Sequence, residues 1–349
     1  MKMPFEFKDM PEASGLADAA GEHVRRMVRF IFEYEDSQQA LVVYDMQCPL
    51  AAALAEAYRR DLPNADFIDF DAQSPEAIRE SFYRLKPGGL VVLIQTTNFR
   101  LDDFRIRVEL FKLSLKVIEH PHLGRMRGDE SRIYVDSLAY DPDYYRRTGP
   151  ALKTLMDHAK VCRVKSADAE LTFESGFEES KMNIGDYRGM KNWGGQFPIG
   201  EVFTEARDLE AVHGTVRIPL FGDVNFAVHR PSRPVLLTVE RGRVTRLADS
   251  NPEFDRVIES ILADEGEVWV RELGFGMNRA FSLERRVTDI GTFERMCGVH
   301  LSLGSKHALY KKPHFKTKAA KHHVDVFAAV DSVRIDDREV YRDGSWIIP

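Results

Sequence analysis

The chain changes texture part-way along. In its first third, ALVVYD (40–45) is a short buried-type strand, and ADFIDF (65–70) and GGLVVLIQ (88–95) follow as further strands. Around them, apolar residues recur at three- and four-residue spacing over about 13–34, 50–60, 75–85 and 101–119, which predicts helices. Strand and helix in this rhythm predict a mainly parallel sheet with helices on its faces. From about residue 161, CRVKSADAELTFES, RPVLLTVERGRVTRLA and VDVFAAVDSVRIDDREVYRDG instead read as strands joined by turns. ERGR (240–243) predicts a hairpin turn, IDDREVYRDGSWII a closing hairpin, and 251–264 one intervening helix. The predicted fold is an α/β N-terminal domain over 1–165, then a mostly antiparallel β (α+β) metal-binding domain over 166–349. A chain of 349 residues is too long for one ordinary core, which agrees with two domains.

Composition narrows the function. With 44% apolar and 30% charged residues and a net charge of −6, the chain is not built as a general binder of nucleic acid or membrane surfaces. No apolar run approaches a membrane span, and the N-terminus lacks the basic-then-apolar order of a signal peptide. Cys48, Cys162 and Cys297 show no pairing pattern; they point to a reducing, cytoplasmic setting and exclude a thiolate zinc knuckle. The glycines of LKPGGLVV precede a strand and no GxGxxG follows one, so no dinucleotide site is predicted.

The histidines are unevenly spread. Five of the eleven lie between His300 and His323, namely His300, His307, His314, His322 and His323, which directs attention to a metal. Lys311, Lys312, Lys316, Lys318 and Lys321 lie among them, so part of this segment reads as a solvated basic loop, or as one that draws an acidic substrate inward. Four stretches place a ligand-type side chain beside glycine and apolar residues: FPIGEVFTEA with Glu201, VWVRELGFGMN with Glu272, CGVHLSLGSKH with His300, and HHVDV with His323 and Asp325. A carboxylate in such company is costly to bury unless it is paired or bound to a cation. On a strand, His323 and Asp325 face one way and His322 the other. NWGGQF, just before Glu201, makes Trp193 a candidate pocket wall, and Phe275 and Phe293 read as core.

In this order, PIGEVFT (198–204), ELGFGMN (272–278), HLSLG (300–304) and HVD (323–325) resemble the motifs of the leucyl aminopeptidase T family of metalloaminopeptidases. The resemblance covers roughly 174–349. It implies a cytoplasmic homodimer that removes N-terminal residues from peptides. It implies two divalent ions (zinc, manganese or cobalt) held by Glu201, Glu272, His300, His323 and Asp325. The family carries a catalytic tyrosine seven residues after the third-motif histidine. Here His307 stands in its place, with Tyr310 the nearest tyrosine, so either is a candidate to stabilise an oxyanion, and Glu201 is a candidate proton carrier. His307 is also a candidate further ligand.

More distantly, the chain resembles the 2,5-dihydroxypyridine 5,6-dioxygenases, which hold a single iron(II) through two histidines and an aspartate. His300, His323 and Asp325 supply that donor set here. The leading expectation is a metallohydrolase acting on a peptide, small amide or amino-acid-like substrate. A mononuclear non-haem iron(II) oxygenase is the alternative, and a non-catalytic metal-binding relative the third reading.

Overall fold

The computed structural model of the protein describes residues 11–307, 309–312, 315 and 320–348. His314, Lys316, Lys318 and the first ten residues, on which the absence of a signal peptide was read, lie outside the described residues. The chain divides into two compact units, Met1–Pro142 with Gly185–Ile199, and Asp143–Ile184 with Gly200–Pro349. A single cut at 165/166 differs from this division at two places. Cys162–Ser166 pairs antiparallel within the second unit, and Trp193–Gln196 returns to complete the parallel sheet of the first.

In the first unit the strands are β1 (Ala40–Tyr44), β2 (Asp66–Asp69), β3 (Leu90–Ile94) and β4 (Lys116–His120). The next four strands of the chain are β5 (Cys162–Ser166), β6 (Ala169–Phe173), β7 (Lys181–Asn183) and β8 (Trp193–Gln196). The parallel sheet has the order β2-β1-β3-β4-β8. All five residues of β3 are buried, as its unbroken apolar run predicts.

The helix expected over 101–119 is corrected: only Ile106–Lys112 is helical, and KVIEH becomes β4. Ser114, at φ 58°, turns the chain out of the helix, and β4 then pairs with β3 and β8 on its two sides. With only Val117 and Ile118 apolar, so short a stretch fits both periods, and pairing on two edges decides it. Trp193 is likewise placed on β8, its indole N–H donating to the carbonyl of Ile31 at 3.1 Å, so it serves the parallel sheet.

A buried polar relay crosses this unit. The Tyr134 hydroxyl lies 3.3 Å from the Phe197 carbonyl, to which it donates, and 2.7 Å from His120 Nδ1. Nδ1 therefore carries the imidazole proton, and Nε2 accepts from the Tyr58 hydroxyl at 2.8 Å. Burial without a charged partner pushes His120 down to about 3. Its folded value lies below the unfolded one of about 6.5, so the unfolded chain binds the extra proton and stability falls as pH drops below about 6.5. Between pH 7 and pH 5 this group is expected to remove roughly 2 kcal/mol, an order-of-magnitude figure. Urea unfolding of wild type and His120→Gln at both pH values checks it; equal pH losses in the two proteins count against the assignment.

The second unit carries β9 (Glu201–Glu205), β10 (Val212–Ile218), β11 (Leu220–Gly222), β12 (Val228–His229), β13 (Val235–Glu240) and β14 (Arg243–Ala248). It continues with β15 (Val270–Gly276), β16 (Gly298–Leu303), β17 (Val324–Phe327), β18 (Ser332–Ile335), β19 (Arg338–Arg342) and β20 (Ser345–Trp346). Two antiparallel sheets result, ordered β14-β13-β10-β6-β5-β18-β19-β20 and β12-β11-β17-β16-β15-β9-β7. ERGR forms the predicted hairpin turn: Arg241 and Gly242 take φ 50° and 76°, and Glu240 pairs with Arg243. The closing hairpin also forms, with Ile335 paired to Arg338. The predicted helix runs Pro252–Glu265, its end capped by the Asn251 side chain, which accepts from Phe254 N. Trp346 joins the two sheets, stacking on Phe275 at 4.8 Å and donating to the Gly276 carbonyl. No helix among the described residues is long and apolar enough to cross a membrane.

Candidate metal centre

Register brings the scattered motifs together. In β9 and β15, Glu201 pairs with Gly276, Phe203 with Gly274 and Glu205 with Glu272. Gly274 also pairs with His300 of β16, His300 with Phe327 and Ser302 with Asp325 of β17. Because side chains two apart share a face, Glu201, Glu272, His300 and Asp325 all project from one face of this sheet. A register shift between Val270 and Leu273 adjusts the start of β15, where Glu272 N donates to Ser302 Oγ at 3.0 Å. Gly274 makes room for the histidine. A Cβ there would stand 2.0 Å from His300 Cε1 and 2.2 Å from Nε2.

Glu201, Glu272 and His300 are buried, and one ligand atom from each lies within 4.8 Å of the others. His300 Nε2 is 3.3 Å from Glu201 Oε1 and 3.4 Å from Glu272 Oε1. Two donors about 2.1 Å from a tetrahedral ion stand about 3.4 Å apart, so this spacing fits a shared divalent cation. Phe327 lies beside the imidazole, its ring centroid 6.1 Å away, and His300 is 1% exposed. Burial opposes charge on His300, yet its contacts with Glu201 and Glu272 raise its pKa well above the ordinary value. Burial also works to raise Glu272, but the hydrogen bonds of His300 and His307 and the charge of His323 hold its carboxyl below the usual range. These carboxylates attract positive charge strongly.

Glu272 is shared between two directions. Its Oε2 lies 2.8 Å from His307 Nε2. His307 Nδ1 accepts from the amides of Leu309 and Tyr310, so Nε2 bears the proton and donates to Glu272. In this arrangement His307 orients a carboxylate and offers no lone pair to an ion. Tyr310 stacks beside His307 at 4.9 Å, but its hydroxyl donates to the Glu179 carbonyl at 2.7 Å.

His323 and Asp325 form a pair of their own. His323 Nδ1 donates to the Lys306 carbonyl at 3.1 Å, which turns Nε2 toward Asp325 Oδ1, 3.2 Å away. That contact lacks hydrogen-bond alignment, and Asp325 Oδ1, although buried, has no hydrogen-bond partner among the described residues. An orphaned carboxylate oxygen beside a histidine is itself a donor set suited to a cation. Burial lowers His323, but Asp325 outweighs it and raises the imidazole to about 10. His322 points away and binds Asp264 at 2.7 Å, as strand alternation requires.

Several neighbours were not legible as site residues. Arg295 Nη1 stands 3.2 Å from Glu201 Oε2. Arg271 is fully buried and grips Glu205 with Nε and Nη2 at 3.1 and 2.8 Å, leaving Glu272 to the histidines. The Arg271 guanidinium also donates to the carbonyls of Ser305 and Tyr310, on either side of His307. Lys312 is buried too, its ammonium on the carbonyls of Ala206 and Arg207, so this lysine ties the segment down instead of meeting solvent. Glu265 accepts from the amides of Ser305, Lys321 and His322 and fixes both ends of the same segment. An arginine beside a glutamate, or a lone lysine or glutamate in a polar stretch, occurs too often in any chain to be singled out.

The whole chain has counterparts among solved structures. 2,5-Dihydroxypyridine dioxygenase from Pseudomonas putida KT2440 matches with a TM-score of 0.62, at 13% identity over 97% of this chain and 98% of that one. AmpT from Thermus thermophilus matches with a TM-score of 0.59, at 13% identity over 95% of this chain and 99% of its own. At this identity the likeness is one of fold. No protein-family model matches the chain, and no curated protein does.

Proposed function

We propose that this protein is a metal-dependent hydrolase acting on a small peptide or amide. The observation that carries this reading is the division of Glu272: Oε1 faces His300, and Oε2 faces His307, whose ring lies 5.8 Å from that of His323. A carboxylate whose two oxygens are turned to different partners would be able to serve two ions, as paired-metal hydrolases require. Such ions, when bound, make hydroxide available near neutral pH and polarise a carbonyl. Glu201, Glu272 and His300 would hold one ion, and His323 and Asp325, with the second oxygen of Glu272, the other. His307 keeps Glu272 turned between them through its hydrogen bond. Glu201 would serve as a ligand through Oε1, which faces His300, while Arg295 holds Oε2. The Tyr310 hydroxyl is engaged by the Glu179 carbonyl and the His307 Nε2 proton by Glu272, so both residues act by positioning.

A second reading has its own support. His300, His323 and Asp325 make a two-histidine, one-carboxylate set, and the dioxygenase from Pseudomonas putida shares the fold. Elemental analysis of wild type, Glu272→Ala and the double variant His323→Ala, Asp325→Ala separates the two. About two zinc, manganese or cobalt ions per chain, reduced in both variants, is the result expected of the hydrolase. One iron that survives Glu272→Ala but not the double variant, with oxygen uptake on aromatic substrates, would establish the oxygenase instead. No stoichiometric metal in wild type would remove both.

A further inference from the structure

Among the described residues, Arg295 is a buried guanidinium engaged through Nη1 alone. It is 6% exposed, and both of its ion pairs, to Glu201 Oε2 and to Glu294 Oε1, are made by the single nitrogen Nη1. Nε is buried and has no hydrogen-bond partner among the described residues. An unpaired buried donor is costly, and most so when it belongs to a charged group. The edge left open, Nε with Nη2, is the planar fork that takes a carboxylate through two parallel hydrogen bonds. Arg271, in the same unit, does not leave it open: it spends that edge on Glu205 and its remaining donors on backbone carbonyls. Arg217 gives the same edge to Asp168.

The geometry points to Arg295 as the residue that selects substrates carrying a carboxylate close to the reacting group. The inference rests on the metal-centre reading above and names the substrate class of that site. Reach sets the size. From an ion at the cluster, across Glu201 and the guanidinium to its far edge, is on the order of 8 Å, given ordinary hydrogen-bond lengths. A dipeptide, an N-acyl amino acid or a ring carboxylate spans that distance; a long peptide with a remote C-terminus does not place its carboxylate there. His323, 31% exposed at its side chain, gives the site an open side.

Isothermal titration of the full-length metal-loaded protein with two isosteric pairs tests this. The pairs are alanyl-alanine against alanyl-alaninamide, and benzoate against benzamide. In at least one pair the carboxylate is expected to bind about tenfold or more tighter than its uncharged partner. Arg295→Met should abolish that difference, and Arg295→Lys, which keeps the charge but not the fork, should lose most of it. Discrimination in the dipeptide pair marks a peptidase-type substrate, and in the aromatic pair an oxygenase-type one. Equal binding within both pairs, no carboxylate binding at all, or discrimination that persists in Arg295→Met would overturn the inference. Metal content of each variant is measured alongside. A wild type that binds carboxylates through Arg295 but holds no metal refutes the function proposed above and leaves the anion site standing. A metal-loaded protein indifferent to Arg295 does the reverse. A purely structural Arg295–Glu201 pair would alter metal content or stability without altering the preference for carboxylate over amide.

Discussion

Alanine at position 274 is expected to empty the metal centre. Its Cβ would lie 2.0–2.2 Å from two ring atoms of His300, far inside van der Waals contact. His300 is 1% exposed and packed beside Phe327, so the ring can yield only by moving the imidazole as a whole. That movement takes Nε2 from its place 3.3 and 3.4 Å from the two glutamates. Overpacking of this kind costs about 1–3 kcal/mol of stability. Displacing one ligand is expected to cost more in metal affinity, about 100-fold or beyond, since even outer-shell disturbance costs about 10–100-fold. Competition titration with a chromogenic chelator reads the affinity, and urea unfolding reads the stability. Gly291→Ala is the control, because a Cβ there meets only Asp289 Oδ2, at 3.7 Å. Unchanged affinity in Gly274→Ala would show that His300 does not ligate.

Removing Arg271 alone is expected to destabilise the second unit by about 3–5 kcal/mol, the range for stranding one member of a buried ion pair. Arg271 and Glu205 are 2% and 0% exposed at their side chains, and their bidentate contact is 2.8 Å at its shorter arm. Burial raises the Glu205 carboxyl despite Arg271, so the charged form depends on its partner. Lys312, at 3.8 Å, is the remaining cation near it. Arg271→Met also frees the carbonyls of Ser305 and Tyr310, so the segment bearing His307 loses its anchor. Urea unfolding of Arg271→Met, Glu205→Gln and the double variant forms a mutant cycle. The double variant should recover part of the loss, because no charge is then left unpaired. A double variant as unstable as the sum of the singles would mean the two residues do not act as a pair.

Much of the architecture was legible because it follows local periodicity. The buried runs of β1 and β3, the turn at Glu240–Arg243 and the Asn251-capped helix need only side-chain alternation, turn chemistry and a cap. β4 reads as the end of a helix because KVIEH is short and only Val117 and Ile118 in it are apolar, and its two neighbouring strands alone show which period applies. The division into units was not local either. Pairing of β8 beside β4, across more than seventy residues of chain, decides where 185–199 belongs.

By itself the sequence pointed to the candidate donors: two glutamates, two histidines and an aspartate, each in a short apolar stretch of the second half. Tertiary structure alone decided how they group. Antiparallel register placed Gly274 under the His300 ring and brought His300 between Glu201 and Glu272. It left His323 and Asp325 as a neighbouring pair. It also recruited Arg295 and gave His307 its proton donor role, through contacts among residues far apart in the chain. Spacing along one strand fixes which face a side chain takes, but the distance between two strands' side chains depends on register, bulges and burial that no single segment encodes.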